Sequence, residues 1–123
     1  MTSFFYNSSD ELFCEEFSLK KLAQEYDTPL YVYSSKVILD NIKKLSNSLK
    51  GIKIDIHYAL KANSTLGIIS LIGREGLGAD IVSGGELKRA LKGGIPPNKV
   101  VFSGVGKTNQ EIMLALTKNI KQI

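Results

Sequence analysis

The chain has 123 residues, 43% of them hydrophobic and 23% charged, which excludes a disordered or fibrous polymer and suits one modest core. Its formal charge of +4 comes from lysines and arginines scattered along the chain, with no basic stripe interleaved with aromatics, which argues against nucleic-acid binding. The single cysteine, Cys14, excludes an internal disulfide, and the sequence shows neither a secretory leader nor an apolar run long enough to span a bilayer, so a cytoplasmic chain away from the membrane is expected.

The first element is a helix over "SLKKLAQEY", with Leu19, Leu22 and Ala23 on one face and Ser18 as N-cap. "TPLYVYS" reads as a strand entered at Pro29. Ile38, Ile42, Leu45 and Leu49 then recur at helical spacing, in a helix that stops at Gly51. "IKIDIHYAL" is the next strand and "STLGIISLIGREG" a short helix ending near Gly76. "GADIVS" predicts a strand, and "GGELKRALKGG" a helix closed by Gly93 and Gly94. "KVVFSG", "NQEIMLALTKN" and "IKQI" continue as strand, helix and the start of another strand. Ser83 with Glu86, and Thr108 with Glu111, have capping-box spacing ahead of apolar helical patterns.

Strands alternating with helices imply βαβ units and a buried parallel sheet. The rhythm fits a complete small α/β domain, and it equally fits the first half of a larger barrel. An eightfold (β/α) barrel needs about 250 residues, roughly twice this length. In the barrel reading, residues 1–27 form an N-terminal segment with a short strand and a helix. Residues 28–123 then form about three βα units plus the start of a fourth strand.

The strand ending "HYALKAN" carries the residue of chemical interest. A period of two puts Ile54, Ile56, Tyr58 and Leu60 on one face and Asp55, His57, Ala59 and Lys61 on the other. With the larger apolar face on the helices, Lys61 would face a barrel interior at the C-terminal end of its strand, where barrel enzymes keep their active sites. A desolvated lysine can attack a carbonyl, and the small Ala59 below it leaves room for a flat ring. On the strand alone, a lysine reaching for solvent is the commoner outcome. "GVGKT" fails as a phosphate loop, because the glycine required at position 101 is Val101; Thr108 serves as a helix cap instead.

"TPLYVYS", "HYALKAN", "GADIVSGGEL" and "VVFSGVGKT", in this order and spacing, resemble the pyridoxal-phosphate decarboxylases of the alanine racemase-like barrel fold. Within that group they resemble the N-terminal part of the diaminopimelate decarboxylases. The pattern around the family's pyridoxal lysine runs here without mismatch from Tyr58 through Lys61 and Asn63 to Ile68, Ile69, Ile72 and Gly76. The start, "ELFCEEFSLKKLAQEYDTPLYVYS", also looks like that family's approach to its barrel, so the resemblance covers nearly the whole chain.

The resemblance implies pyridoxal 5'-phosphate as cofactor, with Lys61 as the catalytic lysine that holds it covalently and Asp80 as a second cofactor-binding residue. It implies no metal ligand. A strand-end acid paired with a lysine is the plain alternative for Asp80. Ser83, Gly84 and Gly85 are expected to build a turn and helix cap, and His57 to be a hydrogen-bonded core histidine. The implied reaction is decarboxylation of an amino acid, meso-diaminopimelate to L-lysine and CO2, by a homodimeric enzyme. Ornithine or arginine as substrate, a non-catalytic pyridoxal-phosphate binder and a relic fragment are the alternatives. In the resembled family the phosphate loop, the acidic partner of the pyridine nitrogen and a C-terminal β domain come from later sequence. The 123 residues alone are therefore expected to be inactive, and a separately encoded C-terminal half is a conceivable partner.

Overall fold

The computed structural model describes residues 3–123; Met1 and Thr2, which begin the expected N-terminal segment, lie outside the described residues. The chain divides into two compact units, one ending at Lys50 and the other running from Gly51 to Ile123.

In the first unit, β1 (Phe4–Tyr6), β2 (Leu12–Cys14) and β3 (Phe17–Ser18) form an antiparallel sheet in chain order. This adds two strands to the one the sequence suggests, because strands of two or three residues are too short to display alternation. Turn chemistry makes them: the Asn7 side chain accepts from the Ser9 and Glu11 N–H groups, both at 2.9 Å, and Asp10 and Glu15 adopt positive φ. Helix α1 (Leu19–Tyr26) starts at Ser18 as expected, whose Oγ accepts from Lys21 N at 3.2 Å while its hydroxyl donates to Glu11.

The strand expected over "TPLYVYS" does not form. No ladder partner pairs with these residues, Leu30, Tyr31 and Tyr33 are exposed, and Pro29 lacks the N–H a ladder would use. The segment leads straight into α2 (Ser35–Ser48), capped by Ser34, and Gly51 follows with the left-handed φ the helix stop requires. Glu15 ties the unit together, accepting from Ser34 Oγ at 2.7 Å and from Lys36 N at 2.9 Å.

The second unit is α/β. Strands β4 (His57–Ala59), β5 (Gly78–Ile81) and β6 (Val100–Phe102) run parallel in that order. They alternate with α3 (Leu66–Arg74), α4 (Gly84–Lys92) and α5 (Asn109–Thr117). A single parallel bridge between Val101 and Gln122 is the beginning of strand structure at "IKQI". The long strand expected over "IKIDIHYAL" is cut to three residues, since only His57–Ala59 lie opposite β5; Ile56 adds one bond, its carbonyl accepting from Gly78 N at 2.9 Å.

The sheet has two unlike faces. Ala79, Ile81, Val100 and Phe102 are buried under the helices with Leu60, Ile69, Leu87, Ala90, Ile95 and Ala115. The register puts Ala59, Asp80 and Val101 in a row across the other face, with His57 and Gly78 one row below. No helix of the described residues is long and apolar enough to cross a membrane.

Caps fix the helix starts at the C-terminal edge of this sheet. The Thr108–Glu111 box is complete. The Ser83–Glu86 box is half made: Ser83 Oγ accepts from Glu86 N at 3.1 Å, but the Glu86 carboxylate accepts from Val82 N at 2.8 Å rather than from Ser83. Glu111 also accepts from Gly84 N at 2.7 Å, so one carboxylate joins the starts of two helices.

These bonds give the fold a pH dependence. Backbone N–H donation by Gly84 and Thr108 lowers the Glu111 carboxyl below its ordinary value of 4.5, and donation by Lys36 and Ser34 does the same for Glu15. A carboxyl lowered by folding stabilises the native state fully above that ordinary value and loses the contribution as pH falls through the folded one. Urea midpoints should therefore drop as the pH is taken from about 6 to about 3. Glu111→Gln, with no charge to lose, should show a lower midpoint at neutral pH and a shallower fall; parallel curves would contradict this account.

Candidate active site

Lys61 does not sit on a strand. Beyond Ala59 the chain turns into a one-turn 3-10 helix, Leu60–Ala62. Leu60 is fully buried in the core, and Lys61, next to it in the turn, is exposed. The strand ends at Ala59, two residues before Lys61, so the lysine stands just beyond the strand rather than on it.

The backbone around Lys61 is held from several sides. The Tyr58 hydroxyl donates to the Asn63 carbonyl at 3.1 Å, across the turn. Asn63 Oδ1 accepts from Thr65 N at 3.0 Å and Thr65 Oγ1 at 2.8 Å, setting the approach to α3. Arg89 of α4 donates to the Ser64 carbonyl at 3.1 Å. Among the described residues the lysine itself enters no ion pair. A fixed base carrying a free amine is suited to capturing a carbonyl.

Asp80 lies on β5, half-buried, between Ala59 and Val101 on the open face. Its Oδ1 is shielded from solvent and has no hydrogen-bond partner. The alternative of a strand-end acid paired with a lysine does not arise among the described residues, where Asp55–Lys121 is the ion pair formed. Lys121 holds the Asp55 carboxyl below its usual range.

His57 departs from the expected hydrogen-bonded core histidine: its Nδ1 is likewise buried without a partner. The imidazole lies against Gly78, where an added Cβ would stand 2.5 Å from Nδ1. Sequence reasoning treated Gly78 only as the start of a strand; a glycine opposite a histidine was the available sign. Ser83 and Gly84 are engaged in the cap as expected. Lys107, in the failed phosphate motif, donates to the Gly104 carbonyl at 2.7 Å and sits 5.1 Å from the Phe102 ring centroid, so its charge serves the loop.

The residues suit a pyridoxal group. A free amine stands at the end of β4, a carboxylate oxygen without a partner lies on the open face, and Ala59 beside it leaves space. A phosphate would find less here, since the N–H groups of Gly84, Glu86 and Glu111 are already bonded internally. A cleft of about 350 Å³, lined by Leu66, Gly85, Lys88, Arg89 and Lys92, includes neither Lys61 nor Asp80.

Comparison with known proteins bears on the same residues. Residues 35–123 match the family described as pyridoxal-dependent decarboxylase, pyridoxal binding domain. The diaminopimelate decarboxylase of Aquifex aeolicus is 48% identical over 110 residues, 89% of this chain and 26% of that protein. A crystal structure of an Aquifex aeolicus protein superposes with a TM-score of 0.90 at 45% identity, over 97% of this chain and 29% of its own. The diaminopimelate decarboxylase of Helicobacter pylori, complexed with L-lysine, gives a TM-score of 0.78 at 48% identity, over 83% of this chain and 26% of its own. The chain thus spans between 26% and 29% of the length of these relatives. With a matching α/β fold and a family match over residues 35–123, the chain belongs to the pyridoxal-dependent decarboxylases, in the part that forms their pyridoxal-binding domain.

Proposed function

We propose that this chain is the N-terminal part of a pyridoxal-phosphate-dependent diaminopimelate decarboxylase, and that its second unit is the opening portion of a (β/α)8 barrel. The observation that carries this reading is the free Lys61 amine on a braced turn at the end of β4, one strand from the unpartnered Asp80 carboxylate. Lys61 Nζ would hold the cofactor's aldehyde covalently and yield it to the substrate amine. Asp80 would set negative charge against the bound group, with Ala59 leaving room for it. When bound, pyridoxal phosphate supplies the electron sink that allows a carboxylate to leave from Cα as CO2. A proton then takes its place, turning meso-diaminopimelate into L-lysine, the ligand named in the Helicobacter pylori complex.

The phosphate cradle, the partner of the pyridine nitrogen and the contacts that choose the substrate would come from sequence beyond these residues, in a homodimeric enzyme. The purified 123-residue chain should therefore show no turnover of diaminopimelate; measurable turnover would refute that part of the proposal. The decisive test joins this chain to the remainder of the Aquifex aeolicus relative. A folded chimera that decarboxylates meso-diaminopimelate supports the reading. One that binds pyridoxal phosphate without decarboxylation points to a non-catalytic carrier, and one that prefers ornithine or arginine points to another branch.

A further inference from the structure

The cleft of about 350 Å³ between Leu66 of α3 and Gly85, Lys88, Arg89 and Lys92 of α4 has no part in the proposed reaction. Three of its five lining residues are cationic and none is acidic. Lys88 and Lys92 are four positions apart, and Arg89 and Lys92 three, so like charges are neighbours on one helix face. Such pairs destabilise a helix unless a carboxylate intervenes. None does: the residue four positions earlier is Gly84 for Lys88, Gly85 for Arg89 and Lys88 for Lys92. Glu86 is turned back to the helix start, where its carboxylate accepts from Val82 N at 2.8 Å. Among the described residues none of the three cations enters an ion pair. The helix dipole favours Arg89 and Lys92 in the last turn, but it gives no reason for Lys88 beside them.

We propose that this cleft binds a small anion carrying several negative charges, such as two linked phosphates. Arg89 is the fixed fork of the site. Its Nη1 donates to the Ser64 carbonyl at 3.1 Å, which anchors the guanidinium while using one of its five N–H donors. Lys88 and Lys92 are exposed and add point charges, and Leu66 closes the cleft with an apolar wall. Size selects the class of ligand. From Lys88 to Lys92 is about 6 Å of helix, whereas a nucleic-acid strand carries one charge about every 3.4 Å. Two adjacent charges fit that span, and a longer strand or an acidic segment would find no basic stripe to follow. The assignment does not rest on the pyridoxal reading, because neither Lys61 nor Asp80 lines the cleft.

Inorganic pyrophosphate, titrated at low salt into the nitrogen-15-labelled 123-residue protein, is the test. The amide signals of Gly85, Lys88, Arg89 and Lys92 should shift and saturate. Those of Lys43 and Lys44, an exposed basic pair on α2, should stay in place. The double variant Lys88→Gln, Lys92→Gln should bind about tenfold or more weakly, and Lys43→Gln, Lys44→Gln should bind as the wild type does. Both pairs are exposed and outside any ion pair, so the fold should survive the changes, and unaltered signals away from them would verify it. Shifts that never saturate, or equal shifts at Lys43 and Lys44, overturn the proposal and leave only a solvated basic face. Undiminished binding by the Lys88, Lys92 double variant overturns it too. A hexaglutamate peptide that binds more tightly than pyrophosphate would also overturn it, by giving the cleft to an acidic chain.

Discussion

Lys61→Ala in the chimera with the Aquifex aeolicus remainder should abolish decarboxylation, by about a thousandfold or more, while leaving assembly and the thermal stability of the cofactor-free protein unchanged. The loss is large because no neighbouring side chain on the turn can supply a second amine: Leu60 is buried, and Ala62 and Asn63 have none. The cofactor-free stability is spared because Lys61 is exposed and unpaired in this chain, and a surface change of this kind stays within about 0.5 kcal/mol. Lys61→Arg should be equally inactive. It keeps the positive charge but cannot form the covalent bond, so the pair separates nucleophile from cation. Leu60→Ala gives the opposite pattern, one residue away. Leu60 is fully buried in the core, and its truncation should cost about 2–5 kcal/mol, with activity falling only as far as the fold does. Turnover and thermal melts on the three variants would check this; appreciable activity in Lys61→Ala would remove Lys61 from the chemistry.

The helices and their ends were legible in the sequence because each is written locally. Ser18, Thr108, Gly51 and Gly76 act through bonds or dihedrals within a few residues, and the chain shows them as caps and stops. The strands were less legible, in number and in length. Whether residue 54 or 57 begins β4 depends on what lies opposite it, and that is decided by β5. "TPLYVYS" has strand composition and no ladder, for the same reason. The candidate site divides the same way. Lys61 was visible through its motif, while the 3-10 turn that carries it was not, because the end of β4 depends on what β5 places opposite it. His57, Gly78 and Asp80 are separated by up to 23 positions, and only the parallel register brings them onto one face. The Glu111–Gly84 bond, spanning 27 positions, is equally invisible to a reading of local spacing.

Gly78→Ala should be among the most destabilising single changes in the second unit, by about 3 kcal/mol, the upper range for overpacking. The added Cβ would stand 2.4 Å from the Lys99 carbonyl oxygen and 2.5 Å from His57 Nδ1. The imidazole can swing away, at the cost of its place on the open face. The carbonyl cannot move far: Lys99 is tied to Pro96 through its N–H at 2.9 Å and immediately precedes β6, whose ladder begins at Val100. A further Gly78→Ala, His57→Ala double variant should thus recover part of the loss and not all of it. Gly67→Ala provides the control. Nothing lies within 4 Å of its added methyl, and it sits within α3, so the same substitution should stabilise by roughly 0.5–1 kcal/mol through helix propensity. Since a domain is held by only about 5–15 kcal/mol, the difference between the two glycines should be plain in urea midpoints. Equal midpoints for Gly78→Ala and wild type would mean that β4, β5 and β6 do not approach as closely as the register requires.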